Sequence, residues 1–352
     1  MTTPSNSRAT ASARPDLPLA VGPATTNTGA GAPPARLPPD APAAASDRSE
    51  WDSFMPSILT LVTDPSTPGL SDGLVADVTD ALADASGTPA APDWLAERVA
   101  CDIPFDGVAP AAAADAARRA LGDAPVDLLA QPAAGRRKAL LAADMESTII
   151  RNEILDDLAA IAGIGDAIAA ITRRAMAGEF DFADAVRERV ALLTGMTTEV
   201  LERAYRGIAY TPGAATLVRT MRAAGAHTML VSGGFRYFTV RVRDALGFAE
   251  DVGNVLQLAD GKLTGEVRDP VLTADGKLEA MERAMKQHGL TADRALAVGD
   301  GANDVAMLRT AGLGIAYRGK DALAAVADAT VAHGDLTALL YFQGYRQAEF
   351  VE

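Results

Sequence analysis

From residue 136 onward the chain alternates short apolar runs with stretches whose apolar residues recur every three or four positions. KALLAAD (138–144), AHTMLVSGG (226–234) and RALAVGDG (294–301) read as buried strands, with GLGIAY (312–317) and DATVAH (328–333) as two more. Between them, Ala214, Leu217, Val218 and Met221 fall on one helical face, as do Phe235, Phe238, Val242 and Leu246, and Leu278, Met281 and Met285. Gly225, Gly247 and Gly289 follow these stretches as helix stops. Strands alternating with helices predict an α/β fold with a parallel, Rossmann-like sheet covered on both faces. ADGKLTGEV (259–267) predicts a hairpin with an Asp-Gly turn. The connection from Asp144 to the strand near 226 is far longer than a crossover needs. Residues 155–210 therefore read as an inserted helical cap, placed over the carboxyl end of the first strand.

The region before 136 has a different texture. Residues 51–135 alternate strand-like SILTLVTD (57–64), helical LSDGLVADVTDALAD (70–84), strand-like RVACDIPFD (98–106), helical AAAADAARRALGD (111–123) and strand-like PVDLLAQP (125–132). This predicts a small α+β module, similar in pattern to ligand-binding regulatory domains of the ACT type. Residues 1–50 hold nine of the chain's 20 prolines and no aromatic residue, an Ala/Pro-rich composition expected to stay disordered. That tail has no apolar core of a secretory signal and no Arg-rich amphipathic helix, so a cytoplasmic protein is expected.

Composition narrows the function classes. With 352 residues, 49% apolar and 22% charged, most of the chain is expected to be globular. A net charge of −14 disfavours nucleic acid and anionic membrane surfaces as partners. One cysteine, Cys101, and three dispersed histidines argue against a disulfide framework or a His/Cys zinc site. No apolar run approaches the roughly 20 residues of a membrane span.

Three predicted strands end in polar residues, Asp144, Ser232 and Asp300, and in open parallel sheets ligands bind at that edge. Asp144 has the chemistry of a nucleophile toward phosphorus, and Glu146 that of a general acid and base. Ser232 and the amides of Gly233 and Gly234 are expected to hold phosphate oxygens at a helix start. Asp300 and Asp304 offer hard oxygen ligands which, with Asp144, suit Mg2+. The plainer alternative is that Asp300 and Asp304 only cap the following helix.

DMEST at 144–148, SGG at 232–234, Lys277 in DGKLEAM and GDGANDVAML at 299–308 together resemble the four motifs of the haloacid dehalogenase-like phosphatases. Glu153, the stretch MAGEFDFADAVRERV (176–190), SGGF (232–235) and GKLTGEV (261–267) are similar, more narrowly, to the phosphoserine phosphatase branch. The resemblance covers about 136–345, and it assigns 136–352 to a phosphatase domain. It implies a Mg2+-dependent enzyme forming an aspartyl-phosphate on Asp144 and releasing L-serine, the last step of serine biosynthesis. Glu146 stands where the family usually has an acid/base Asp, and its main-chain carbonyl is implied as a metal ligand beside Asp144, Asp300 and Asp304. Ser232, Gly233 and Lys277 are implied to bind the phosphoryl group, with Asn303 beside it. Glu153 is implied to take the substrate ammonium and Arg189 its carboxylate, with Met176 and Phe182 closing over it. Arg187, two residues from Arg189, cannot share its helical face and is expected to be structural. A homodimer is compatible with this reading.

The Glu at 146 is one methylene longer than the usual Asp, so reach to the leaving oxygen is the feature in question. It leaves open a phosphotransferase to another hydroxy-amino acid, and a regulatory amino-acid-binding protein with a vestigial catalytic domain. The intact set Asp144, Lys277, Asp300 and Asp304 favours the hydrolase.

Overall fold

The computed structural model describes residues 56–352. The expected disordered tail at 1–50, and residues 51–55 of the expected module, lie outside the described residues.

The first layer is an antiparallel sheet formed by β1 (Ser57–Val62), β2 (Thr88–Pro89), β3 (Asp93–Ala96), β4 (Ala100–Asp106) and β5 (Asp127–Pro132). Its order is β2-β4-β1-β5, with β3 also paired to β4. Helices α1 (Asp72–Asp84) and α2 (Pro110–Leu121) complete a β-α-β-β-β-α-β chain order, the split βαβ arrangement with one extra short strand. Ser71 starts α1 by accepting the Leu74 N–H, and Pro110 sits in the first turn of α2, where its missing N–H costs nothing. Val75, Val78 and Leu82 turn one side of α1 onto Leu59, Leu61, Cys101 and Ile103 of the sheet. The three longer strands and both helices lie where the hydrophobic pattern predicts them. β2 and β3 are additions, too short to show alternation, and β2 also carries a proline.

The second sheet contains β6 (Leu140–Ala143), β7 (His227–Phe235), β8 (Glu250–Asn254), β11 (Ala295–Gly299), β12 (Leu313–Tyr317) and β13 (Ala329–Val331). All its pairings are parallel, in the order β13-β12-β11-β6-β7-β8. β6 lies at the centre and its four residues are all buried, hence an uninterrupted apolar run rather than an alternation. Leu140 and Ala142 face one core, with Met281 and Met285; Leu141 and Ala143 face the other, with Phe238 and Val242. β8 is an unpredicted edge strand, whose EDVGN sequence has too few apolar residues to announce itself. β9 (Leu256–Ala259) and β10 (Lys262–Val267) form the expected hairpin.

Between β6 and β7 the chain leaves the sheet as a cap of four helices, α3 (Ile154–Ala162), α4 (Gly165–Met176), α5 (Phe182–Ala191) and α6 (Glu199–Arg206). The outgoing and returning strands pair at Ile150 and Tyr210, and Arg151 N–H donates to Ala209 O at 2.8 Å. Asn152 joins them again: its Oδ1 accepts the Ala209 N–H at 2.8 Å and its Nδ2 donates to Asp157 at 2.7 Å. The chain re-enters the core through α7 (Ala214–Ala223), and α8 (Arg236–Leu246), α9 (Ala274–Gln287) and α10 (Val305–Thr310) cover the sheet.

The two sheets are joined by buried polar contacts. Arg136 pairs bidentately with Asp102 at 2.7 and 3.0 Å, donates to Thr60 at 3.0 Å, and reaches Phe342 O at 3.3 Å. Asp127, at the start of β5, accepts the N–H groups of Ala332, His333 and Gly334 just beyond β13. Breaking a buried pair by removing one partner strands the other charge. Arg136→Met should therefore lower the unfolding free energy by about 3–5 kcal/mol, read from urea denaturation of the full chain. A change below about 1 kcal/mol would mean that Asp102 is solvated without it.

Candidate active site

Parallel strands deliver their carboxyl ends to one edge, and the chain passes to opposite sides of β6 there, which is where such sheets bind ligands. Asp144 follows β6 and Asp300 follows β11, its neighbour, with Ala143 opposite Val298 in register. Asp144 N–H donates to Val298 O at 3.0 Å, so the backbone itself ties the two strand ends together. Past Asp144 the chain stays extended at Glu146 (φ −72°, ψ 140°) and reverses at Ser147, which has φ +53°. Ile150 N–H closes this turn on Met145 O at 2.9 Å. The turn sends the chain into the cap and leaves Glu146 beside the nucleophile candidate.

The carboxylate oxygens of Asp144, Asp300 and Asp304 lie within 4.8 Å of one another. Lys277, on α9, is 1% exposed and reaches Asp144 Oδ1 at 2.7 Å and Asp304 Oδ1 at 2.8 Å. Asp304 does more than cap a helix, since its other oxygen accepts the Gly301 N–H at 3.3 Å while the first meets Lys277. Gly299 is required beneath it, because a Cβ there would collide with the Asp304 carboxyl group. Burial disfavours charge on Lys277, but Asp144 and Asp304 outweigh it and hold the ammonium protonated. Burial pushes the Asp144 carboxyl up; Lys277 opposes this and Asp304 reinforces it. Asp300 is likewise pushed up, by burial and then by Asp304. One ammonium against three carboxylates leaves the cluster short of positive charge, and its all-oxygen donor set fits a hard divalent cation.

Glu146 is half-buried. Its Oε1 accepts the N–H of Ile154, the first residue of α3, at 2.9 Å. Its Oε2 lies over Gly234, where a Cβ would sit 2.7 Å away. Burial and the neighbouring Glu153 push its carboxyl up to about 7, against the pull of the Ile154 N–H, Lys277 and Arg189. Glu153 is exposed and accepts the Ser147 hydroxyl at 2.7 Å. Arg189, on α5, is half-buried, and its Nε donates to Ala185 O at 3.1 Å. Burial pulls its guanidinium down, while Asp156, Glu146 and Glu153 act against that. Among the described residues its terminal nitrogens have no hydrogen-bond or ion-pair partner. Arg187 points elsewhere, pairing with Asp184 at 3.0 Å and with Asp269 at 2.7 Å. Phe182 is 43% exposed, and its ring edge lies 3.3 Å from where a Gly233 Cβ would be. Met176 ends α4, and its side chain lies outside the described residues.

The Ser-Gly-Gly segment differs from the sequence expectation. β7 runs on through Phe235, and α8 begins only at Arg236, so Gly233 and Gly234 precede the helix rather than forming its first turn. Parallel pairing slips between Val231 and Phe235, which extends the strand through the glycines. Ser232 is fully buried, and its Oγ accepts the Gly234 N–H at 2.9 Å. Asn303, half-buried, stands in the short turn Ala302–Asp304.

Several supporting groups escaped the sequence reading. Asn254, on the unpredicted β8, donates to Gly233 O at 2.7 Å and accepts the Leu272 N–H at 2.7 Å, bracing the glycine segment. Ser147 holds Glu153, and Asp156 faces Arg189; the latter's position three residues after Glu153 on one helical face was the available signal. Tyr237 on α8 donates to Glu202 on α6 at 3.0 Å, and Arg241 stacks on the Tyr237 ring at 3.7 Å, a second tie between core and cap.

The profile of the haloacid dehalogenase-like hydrolases matches residues 141–309. The chain is 44% identical over 204 residues to a phosphoserine phosphatase of Archaeoglobus fulgidus, covering 58% of this chain and 59% of that one, so it spans about six tenths of that relative's length. It is 41% identical over 213 residues to a phosphoserine phosphatase of Idiomarina loihiensis, covering 60% of this chain and 96% of that protein. Its fold also matches a phospho-aspartyl intermediate analogue of phosphoserine phosphatase, with 36% identity, a TM-score of 0.55, and coverage of 58% of this chain and 99% of that one.

Because Gly299 leaves the room that Asp304 occupies, Gly299→Ala should weaken divalent-cation binding about 10-fold or more in a calorimetric titration with Mg2+ or Mn2+. Unchanged affinity would remove Asp304 from the cation site.

Proposed function

The chain belongs to the haloacid dehalogenase-like hydrolase family, and on that premise we propose that it hydrolyses O-phospho-L-serine to L-serine and phosphate. The observation that bears most weight is the buried Lys277 ammonium, 2.7 Å from Asp144 and 2.8 Å from Asp304 at the carboxyl edge of the sheet. It places a fixed positive charge beside a buried carboxylate, which suits attack on a phosphate dianion.

In this reading an Asp144 oxygen attacks phosphorus and the P–O bond to the serine oxygen breaks. Glu146, protonated, gives its proton to that leaving oxygen. A water then attacks the aspartyl-phosphate, Glu146 takes its proton, and Asp144 is released with inorganic phosphate. Lys277 offsets the charge of the phosphoryl oxygens throughout, and Ser232 and Gly233 line the same edge. A divalent cation, Mg2+ in our reading, held by Asp144, Asp300, Asp304 and the Glu146 carbonyl, would supply further charge neutralisation when bound.

Substrate choice rests on the cap. Arg189 offers two terminal nitrogens to a carboxylate, a bidentate match, and Glu153 offers an oxygen to an ammonium. Phe182, against Gly233, shields the leaving group from water. A substrate with both amino-acid charges satisfies both side chains at once, whereas a plain alkyl phosphate leaves them unpaired.

Phosphate release from O-phospho-L-serine, O-phospho-L-threonine and p-nitrophenyl phosphate should be Mg2+-dependent, fastest with phosphoserine, and lost in Asp144→Asn. Activity on the aryl phosphate alone would keep the chemistry and overturn the substrate. Glu146→Gln should lower kcat by about 10²–10⁴-fold, with Glu146→Asp retaining a larger share. Equal rates for wild type and Glu146→Gln would remove Glu146 from the mechanism.

A further inference from the structure

An acid/base carboxyl on a side chain longer than the usual one needs to be held, or its extra rotamers dilute the productive one. Two features of this chain hold it. On one side, Glu146 Oε1 accepts the Ile154 N–H at 2.9 Å. Ile154 is the first residue of cap helix α3, so its N–H is one that the helix leaves without an internal partner. On the other side, Oε2 occupies the space above Gly234. The ammonium of Lys277 is already committed to Asp144 and Asp304, and among the described residues the hydrogen bond of Arg189 runs from its Nε to Ala185 O and not to Glu146. The cap helix thus provides the hydrogen bond that orients Glu146.

We propose that the Ile154 main-chain N–H is a positioning group for Glu146, so that the acid/base carboxyl is aligned only while α3 is seated on the core. The inference rests on the reading of Glu146 as the proton donor. It also gives the extra methylene a role, since the longer side chain is the one that spans from the sheet edge to the cap helix.

The first helical position allows a clean deletion, because proline is tolerated there and lacks only the N–H in question. Glu153, which precedes it, has φ −106° and ψ 101°, an extended conformation compatible with a following proline. Ile154→Ala removes the same buried side chain while keeping the N–H, so the Pro-to-Ala ratio reports the hydrogen bond. The readout is kcat on two esters. O-phospho-L-serine expels a basic alkoxide that needs the proton; p-nitrophenyl phosphate expels a weakly basic phenolate that does not.

Relative to Ile154→Ala, Ile154→Pro should lose about 10-fold or more in kcat on phosphoserine and no more than about threefold on the aryl ester. In a Glu146→Gln background the Pro-to-Ala difference should vanish. Equal losses on both esters, or the same ratio in the Gln background, would overturn the proposal. If Ile154→Pro does not fold, replacing the Ile154 amide by an ester, which removes the N–H and keeps the side chain, decides against wild type. Its loss should be selective for phosphoserine and absent in a Glu146→Gln background; equal losses on both esters would overturn the inference. Wild-type protein inactive on both esters would sink the reading of the site and this inference with it. Wild-type activity with the failures above would sink the inference alone.

Discussion

One buried ammonium organises the carboxyl edge of the parallel sheet. Lys277 is 1% exposed and bridges Asp144 to Asp304. Two carboxylates facing each other in that setting would repel, and a lone lysine would lose its charge to desolvation. Together they form a network in which each charge depends on the other. The geometry around it follows: Thr273 starts α9 so that Lys277 lies one turn inside it, Gly299 clears the space for Asp304, and Asp144 is fastened to Val298 by its own backbone. Removing Lys277 leaves two buried carboxylates without their counter-charge, which is costly.

The cap enters through the same edge. The chain leaves β6 by the reversal at Ser147, and the outgoing and returning strands are pinned together through Ile150, Tyr210 and Asn152. That ties the cap to the sheet at its root, while Tyr237 with Glu202, and Arg187 with Asp269, tie it farther out. Glu146 stands between the two bodies. It is attached to the strand by its backbone and to the cap helix by its carboxyl, so packing of the cap and orientation of that carboxyl are one question rather than two.

Much of this was legible from pattern alone. The apolar runs at 138–144, 226–234 and 294–301 are strands, and the stretch at 155–210 is a helical cap, because burial on both faces and helical periodicity leave strong marks. Asp144, Asp300 and Asp304 meet because parallel strands deliver their ends to one edge. The misses have equally physical causes. β8 is a polar edge strand, and edge strands need no continuous apolar run. The glycines of 232–234 read as a turn into a helix, yet the ladder with β8 keeps them extended to Phe235. Asn254 was invisible for the same reason as its strand.

By itself, the sequence determined the class of fold and the cap, and it singled out three acids that the structure gathers at one edge, since hydrophobic periodicity and motif spacing are local properties of the chain. Only the tertiary structure decided what each acid faces. Asp304 meets Lys277 rather than merely capping its helix, Arg187 is spent on Asp184 and Asp269 while Arg189, among the described residues, keeps its fork free, and Glu146 reaches the amide of Ile154. Such pairings depend on distances of a few ångströms between segments far apart in sequence, and electrostatic and hydrogen-bond energies at that range are set by packing that no local pattern encodes.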